Sequence, residues 1–521
     1  MTLAGSASVG GGAVRLSSAT LGLLVDGYVD SWTVGTATTG TNGDWVRAGG
    51  GSTAEGNTAR TPTPAVSRTF NDTTYVFPVT ATNAYGTSNT ATITINIMAG
   101  AASWGDKPTG GFNDNFAAAV IGSVAIFEAN FGTAIIMSTG VNRGNTGISI
   151  QDLAFAGPSY VTLRDADPAR PGLYNQCALA RCNYIDVNAI NCGQGAPKTI
   201  QTGRFLLAGS QHWSLTNCTA IDAKDDPPLQ TGGGVYAILL VGSGSTHCSN
   251  WIIENFISEG QFGGIKEAST TGLVHDGVVN GIKIRWSRDN AMFWTTWTDI
   301  QLNDVWIVSN LIYGGLHPDQ IQRADQHSAT RVTINRLFTA VAGGDYPQGL
   351  WHGAAGASTE VDFTINNGLI VESQQAGVAF SCNDGGLVKN VTLYAATTPP
   401  EPPITNGGSF YADGAAGVWP NPVNIRRVYA FGKKLEENSG GFSEGIGVIF
   451  RNNGGTQAND FSTPNPTNIL DSITTEEWDA MTFQEIFELH NSIFTPGSNL
   501  AVGDGTYIGA FDADGNWNEA G

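Results

Sequence analysis

An all-β solenoid is the fold class this sequence predicts, and three observations predict it. The first is a ladder of short apolar runs centred on Ile238, Ile265, Phe293, Ile321, Leu350, Ala379, Phe410 and Ile449, with steps of 27, 28, 28, 29, 29, 31 and 39 residues. A near-constant period of this size marks stacked repeats, each too short to bury a core alone. The second is another ladder in phase with the first, from NWIIENFISEG at Asn250 to VNIRRVYAFG at Val423. Most of its members are two apolar-alternating runs, and alternation with period two means strands. An asparagine stands at or near the break between the runs: Asn255, Asn280, Asn303, Asn335, Asn367 and Asn390. Asparagine tolerates the left-handed backbone that a sharp corner requires. The third is composition: 68 glycines among 521 residues and only 13% charged residues, against a typical share of about 25%. That suits a long, turn-rich β structure and argues against helical bundles.

The two ladders and their asparagine corners resemble the right-handed, single-stranded parallel β-helix of the pectate-lyase-like superfamily. The resemblance covers residues 103–461, is specific for fold and carries little about activity.

Taken in order, residues 1–98 form a separate strand-rich region. The run Val79-Thr80-Ala81-Thr82-Asn83-Ala84-Tyr85-Gly86 and the Thr/Ile alternation after it resemble the closing hairpin of bacterial and phage immunoglobulin-like modules. That resemblance implies an Ig-like β-sandwich acting as a spacer or attachment unit. Residues 99–111, AGAASWGDKPTGG, read as a linker. The solenoid is expected over residues 112–461, opening less regularly, with NDNFAAAVIGSVAIF as a short apolar helix covering its first coil. Residues 462–521 are expected to form a small C-terminal cap with short helices packed over the last coil. Thr474 and Glu477 mark a capping box there. Asp512, Asp514 and Asn516 look like the start of a calcium loop, but the twelfth position of an EF-hand would be 523, beyond residue 521.

The net charge is −20; a nucleic-acid partner would need a concentrated basic face, and the sequence shows none, while anionic membrane lipids are disfavoured for the same reason. No run of about 20 apolar residues predicts a membrane span. The start of the chain lacks a basic stretch followed by an apolar core. Cys177, Cys182, Cys192, Cys218, Cys248 and Cys382 form no CxxC pair. They read as small buried residues of the stack, with disulfides among 177–248 left open.

Residues at equivalent ladder positions share one flank, because parallel strands stack about 4.8 Å apart. With the run centres pointing inward, the next positions point outward: Lys266, Trp294, Gln322, Trp351, Phe380 and Tyr411. Such a row is a natural track for sugar rings, the alternative being that loops or a partner subunit cover it. The rung Gly314–His327, GGLHPDQIQRADQH, lies in its middle. HPDQIQ resembles a His-x-Asp-x-Ile-Gln pattern of β-helix carbohydrate-active proteins, and the resemblance extends only to His317, Asp319 and Gln322. Arg323, Asp325 and His352 complete the candidate catalytic set.

Two mechanisms fit. Glycoside hydrolysis needs an acid and a base or nucleophile, from Asp319 with Asp325, Asp384 or Glu267. Lytic elimination from a uronate needs a base, from Lys266, Arg323, His317 or His352. No cofactor is assigned, although a divalent cation such as calcium, held by Asp319 and Glu267, would suit lysis. The alternative reading of the HPD turn is structural, with the aspartate capping backbone amides. The low charge, the Ig-like segment and the unmarked start are similar to bacteriophage tailspikes. That resemblance implies a homotrimer in the virion tail, with other tail proteins as neighbours, that binds and cleaves a cell-surface polysaccharide. A secreted lyase or glycosidase, or a non-catalytic adhesive virion protein, are the other readings.

Overall fold

The computed structural model describes strand segments between residues 3 and 143. It then describes residues 148–151, 158, 160–165, 173–193, 202–224, 234–242, 246–268, 272–308, 319–323, 330–340, 348–352, 360–372, 376–381, 383–395, 408–413, 421–431, 433–436, 440–451, 460–462, 466–470 and 472–519. The chain forms two compact units, residues 1–174 with 182–191 and residues 175–181 with 192–521.

In the first unit, Thr73–Asn83 pairs antiparallel with Ala91–Ile97 and with Ser31–Val34, while Ser6–Val9 runs parallel to Ala91–Ile97. The hairpin expected at Val79–Gly86 is thus present. The end of the segment expected to be a helix, Val124–Glu128, is instead a strand antiparallel to Thr133–Met137. Its β-branched and aromatic residues favour a pleated surface. Parallel pairing begins there, from Thr133–Met137 to Val161–Asp165 and on to Asn183–Asn188.

The second unit is a parallel β-helix. A front sheet stacks Cys177–Ala180, Thr202–Ala208, Val235–Val241, Gly263–Glu267, Met292–Trp294, Asp319–Arg323, Gln348–His352, Ala376–Ser381, Gly408–Asp413 and Lys433–Glu436, every pairing parallel. A second, bent sheet stacks the longer strands from Cys248–Glu259 and Val274–Arg285 to Val423–Phe431. The last run of the sequence ladder, around Ile449, belongs to this bent sheet, where Val448–Arg451 pairs with Val423–Phe431. The anomalous final step of 39 has that cause: the true next front rung is Lys433–Glu436.

Each long strand bends where one residue turns left-handed: Asn217, Asn255, Gly281, Asp304, Arg336, Asn367, Asn390 and Arg427, with φ from 49° to 85°. Asn280, Asn303 and Asn335 stand one residue before the corner. A second left-handed series, including Asn250, Asp276, Asp299, Arg331 and Asp362, opens the same strands five residues earlier.

The core lies inside the coil. The column Ile238, Ile265, Met292, Ile321, Leu350, Val378 and Phe410 is wholly buried. Tryptophans stack in pairs within it, Trp213 on Trp251 with centroids 5.5 Å apart and Trp294 on Trp297 at 4.6 Å. Cys177, Cys182, Cys192, Cys218 and Cys248 are buried free thiols, and burial pushes the Cys248 thiol up to about 12. Cys382 lies outside the described residues.

The C-terminal segment packs on the last coil and also along several coils before it. Its helices α1 (Pro466–Leu470), α2 (Thr475–Ala480) and α3 (Phe483–Phe494) belong to a cluster with Val308, Phe338, Leu369, Tyr394 and Tyr429 of the bent sheet. The bent sheet is apolar on its outer face after the second corner, so the helices lie along its flank. Arg285 fastens them, donating to the carbonyls of Met481 at 2.7 Å and Trp478 at 2.6 Å. The capping box at Thr474 is formed, and Thr482 makes another with Glu485. In the tail, Asp512 Oδ1 accepts from the backbone amides of Asp514 at 3.0 Å and Asn516 at 2.9 Å, an Asx turn. Among the described residues no helix is long and apolar enough to cross a membrane.

Candidate functional site

The outer face of the front sheet gathers polar residues from successive turns. Parallel register aligns Lys266, Phe293, Gln322, Trp351, Ala379 and Tyr411 in one row. Lys266, Gln322, Trp351 and Tyr411 therefore hold aligned backbone positions. Trp294 and Phe380 do not join them. Both are buried, and both fall in the neighbouring row with Arg323 and His352. The sequence reads Met292-Phe293-Trp294 and Val378-Ala379-Phe380, unbroken apolar triplets in which period two leaves no mark. Packing decides the register instead: Trp294 turns inward to stack on Trp297, and Phe293 turns out beneath Lys266.

Lys266 is the hub. Its Nζ donates to the Tyr236 hydroxyl at 2.9 Å and lies 4.6 Å from the Tyr236 ring centroid and 5.1 Å from that of Phe293. Tyr236 in turn donates to Asp289 Oδ2 at 2.9 Å. Burial, offset by the charge of Asp289, lowers the Lys266 pKa. Burial and then the Asp289 charge raise that of Tyr236. These are the shifts expected of a cation and a phenol taken partly out of water around one carboxylate.

Asp319 enters the same cluster. Its backbone amide donates to Asn290 Oδ1 at 2.7 Å, and Asn290 donates its own amide to Gln322 Oε1. Asn290 thus ties the start of one rung to the middle of the next. Asp319 is 1% exposed. Burial first, and the neighbouring Asp289 charge second, push its carboxyl well above the usual carboxylate range. Two carboxyls of one cluster thereby stand in different environments, Asp319 enclosed and Asp289 half-buried on a phenol. Such a pair can divide acid and base roles.

Other expected members are placed differently. Glu267 is wholly buried and accepts from the backbone amides of Thr295 at 2.7 Å and Thr296 at 2.8 Å. It holds the turn after Trp294, so it serves neither as the second carboxyl nor as half of a cation site with Asp319. Arg323 is wholly buried, in register with Trp294, and stands apart from the outer row. The backbone of His352 is in register with Arg323, while the backbone of Asp384 pairs with Val361 on the bent sheet. His317 and Asp325 lie outside the described residues.

Tyr236, Asp289, Asn290 and Phe293 are members the sequence reading missed. Tyr236 sits inside an apolar run that reads as core, one turn before Gly263. The available signal was the polar pair Asp289-Asn290 just before its rung, with Asn290 at the position that Asp319 takes in the next turn.

Fold and site together define a parallel β-helix protein with a largely buried ionisable cluster at its front sheet. No family model matches the chain. No curated protein matches it. Among solved structures, it is similar to the catalytic unit of a thermostable GH87 α-1,3-glucanase from Streptomyces thermodiastaticus, at 13% identity and a TM-score of 0.29, over 85% of this chain and 90% of that one. A likeness at that level carries no argument about chemistry.

Proposed function

We propose that this protein binds a polysaccharide along the front sheet and hydrolyses it at the Asp319–Asp289 cluster. The observation that carries the reading is the pair of carboxyls in unlike settings, Asp319 enclosed at 1% exposure and raised well above the usual carboxylate range by burial first and the Asp289 charge second, and Asp289 half-buried on the Tyr236 hydroxyl at 2.9 Å. A glycosidic oxygen placed at Asp319 receives its proton, and Asp289 acts as base or nucleophile on the opposite side of the sugar ring. Lys266 and Gln322 hold hydroxyls, and Phe293 supplies a face for a sugar ring. The finer setting is a phage tailspike, a homotrimer in the virion tail acting on a cell-surface polysaccharide. The antiparallel first-unit sheet, with its earliest strand parallel to its last, supports an Ig-like attachment module there.

The test is a panel of neutral and acidic polysaccharides assayed for new reducing ends. Asp319→Asn and Asp289→Asn should each lower turnover by about 10²-fold or more, the usual worth of a positioned acid or base. Activity of the parent should fall as pH rises through the raised Asp319 pKa, since only the protonated acid can donate. Retention of full activity by both variants overturns the assignment.

Lys266 favours a second reading. A lysine with a lowered pKa, hydrogen-bonded to a phenol, can take the proton beside a uronate carboxylate while Tyr236 protonates the leaving oxygen. Products absorbing in the ultraviolet, lost in Lys266→Met, would select lysis over hydrolysis.

A further inference from the structure

The bent sheet presents a second surface that the chemistry above does not use. Between its two left-handed corners each turn offers two outward residues. In register these form one column of Gln301, Thr333 and Thr364 and another of Asn303, Asn335 and Asn366. The buried column Leu302, Ile334 and Ile365 runs beneath them. The side chains line a groove of ≈400 Å³ that ends at Lys389. Its lining contains amides, hydroxyls and one cation, and no carboxylate.

We propose that this groove is a second glycan-binding strip, separate from the front-sheet cluster, and that it takes an acidic oligosaccharide. Sugar hydroxyls would lie on the amide and hydroxyl columns and an anionic sugar group at Lys389 and Arg426. The rise between turns is about 4.8 Å, comparable to one sugar unit, so one ring meets one turn. The amides lie in register along the strip, Asn303 donating to Asn280 at 3.0 Å and the Asn335 and Asn366 amides 3.2 Å apart.

Charge supplies the rest. In a chain of net charge −20, Lys389, its register partner Arg426 and the adjacent Arg427 stand together at the groove's end. Burial and the charges of Arg427 and Arg426 lower the Lys389 pKa. An anion between them would relieve that repulsion. Lys389 has no hydrogen bond or ion pair among the described residues. Arg426 donates to the neutral Asn424 at 2.7 Å, while Arg427 faces Asp504 at 3.4 Å. Acids also stand along the groove: Asp504 on Arg427, Asp304 and Glu519 on Arg336, Glu254 at the far end with Asn280, and Glu444 in the next turn, in register with Ile425 beside Arg426.

The test uses the full chain carrying Asp319→Asn, titrated calorimetrically with oligogalacturonate, oligomannuronate and hyaluronan oligosaccharides and with neutral malto-oligosaccharides. At least one acidic member should bind, more weakly as salt rises, and Lys389→Ala with Arg426→Ala should weaken it at least tenfold. In a Lys266→Ala background the double substitution should still weaken this binding at least tenfold, which separates the strip from the front sheet even if the proposed hydrolysis fails. Three outcomes overturn the proposal. One is that no acidic member binds, and another is that binding is indifferent to the double substitution. The third is that Lys389→Ala with Arg426→Ala alters the particle mass in sedimentation, which would make the strip a contact between copies of this chain.

Discussion

Asn390 combines two demands at one corner. Its φ is 54°, a region that costs an ordinary residue about 1–2 kcal/mol. It is wholly buried, and its amide donates to Asn367 Oδ1 at 3.1 Å and to the Asn518 carbonyl of the C-terminal tail. Asn390→Ala should therefore destabilise by about 2 kcal/mol or more, since it strains the backbone and leaves buried acceptors unpaired. Asn390→Gly removes the same hydrogen bonds without the strain, so chemical denaturation should place it between parent and Asn390→Ala. Equal stabilities for the two variants would refute the backbone term. Corners of this kind were legible, because asparagine at a strand break has one strong physical reason. Arg336 and Arg427 occupy the same corner in other turns and were not legible. Arginine has no intrinsic preference for that backbone, and at Arg336 the ion pair to Asp304 at 2.6 Å offsets it. The same distinction runs through the candidate site: Asp319 was marked by the proline turn before it, whereas Tyr236 and Asp289 become its neighbours only when turns stack.

Helix α3 illustrates an element fixed by its own sequence but not placed by it. Thr482 and Glu485 set its start, and Phe483, Ile486, Ile493 and Phe494 give it one buried face. The sequence does not say which surface that face meets. The answer is the flank of the bent sheet, where Phe487 stacks on Trp306 at 4.6 Å. The outward apolar positions Trp306, Phe338 and Tyr394 were visible as unbroken apolar stretches at strand ends, but a stretch of that kind reads equally as core. His490 lies wholly buried on this helix, with Nδ1 at 2.7 Å from the Ile486 carbonyl. Burial lowers its pKa from 6.5 to about 4. Below the unfolded value the unfolded chain gains a proton that the folded one refuses. Stability should thus fall as pH drops from about 6.5 to about 4, by on the order of 3 kcal/mol, and level off below. Unfolding midpoints across that range should show the slope in the parent and a shallower one in His490→Phe. An identical slope in both would place the acid sensitivity elsewhere.

At the scale of the solenoid, period and composition made the fold readable, because every turn repeats one bargain between inward apolar columns and left-handed corners. What they could not reveal is that one flank of the coil is itself apolar and must be covered. Residues Val308, Phe338, Leu369, Tyr394, Tyr429 and Phe431 come from five successive strands and meet one cluster with Trp478, Phe483, Ile486 and Phe494. Burial of each large apolar side chain contributes about 1.5–3 kcal/mol, so the helices and the flank depend on each other. A chain ending at residue 471 should keep its parallel β signal in circular dichroism while exposing a row of aromatics several turns long. Exposed surface of that extent drives association. Sedimentation should show heavier particles than the full chain, with increased binding of an apolar dye and a lower unfolding temperature. Arg285→Ala, which removes the donors to the Trp478 and Met481 carbonyls, should move the chain in the same direction by a smaller step. If the truncated chain keeps the parent's particle mass and unfolding temperature, the flank is stable in water uncovered, and the C-terminal helices serve some purpose other than shielding it.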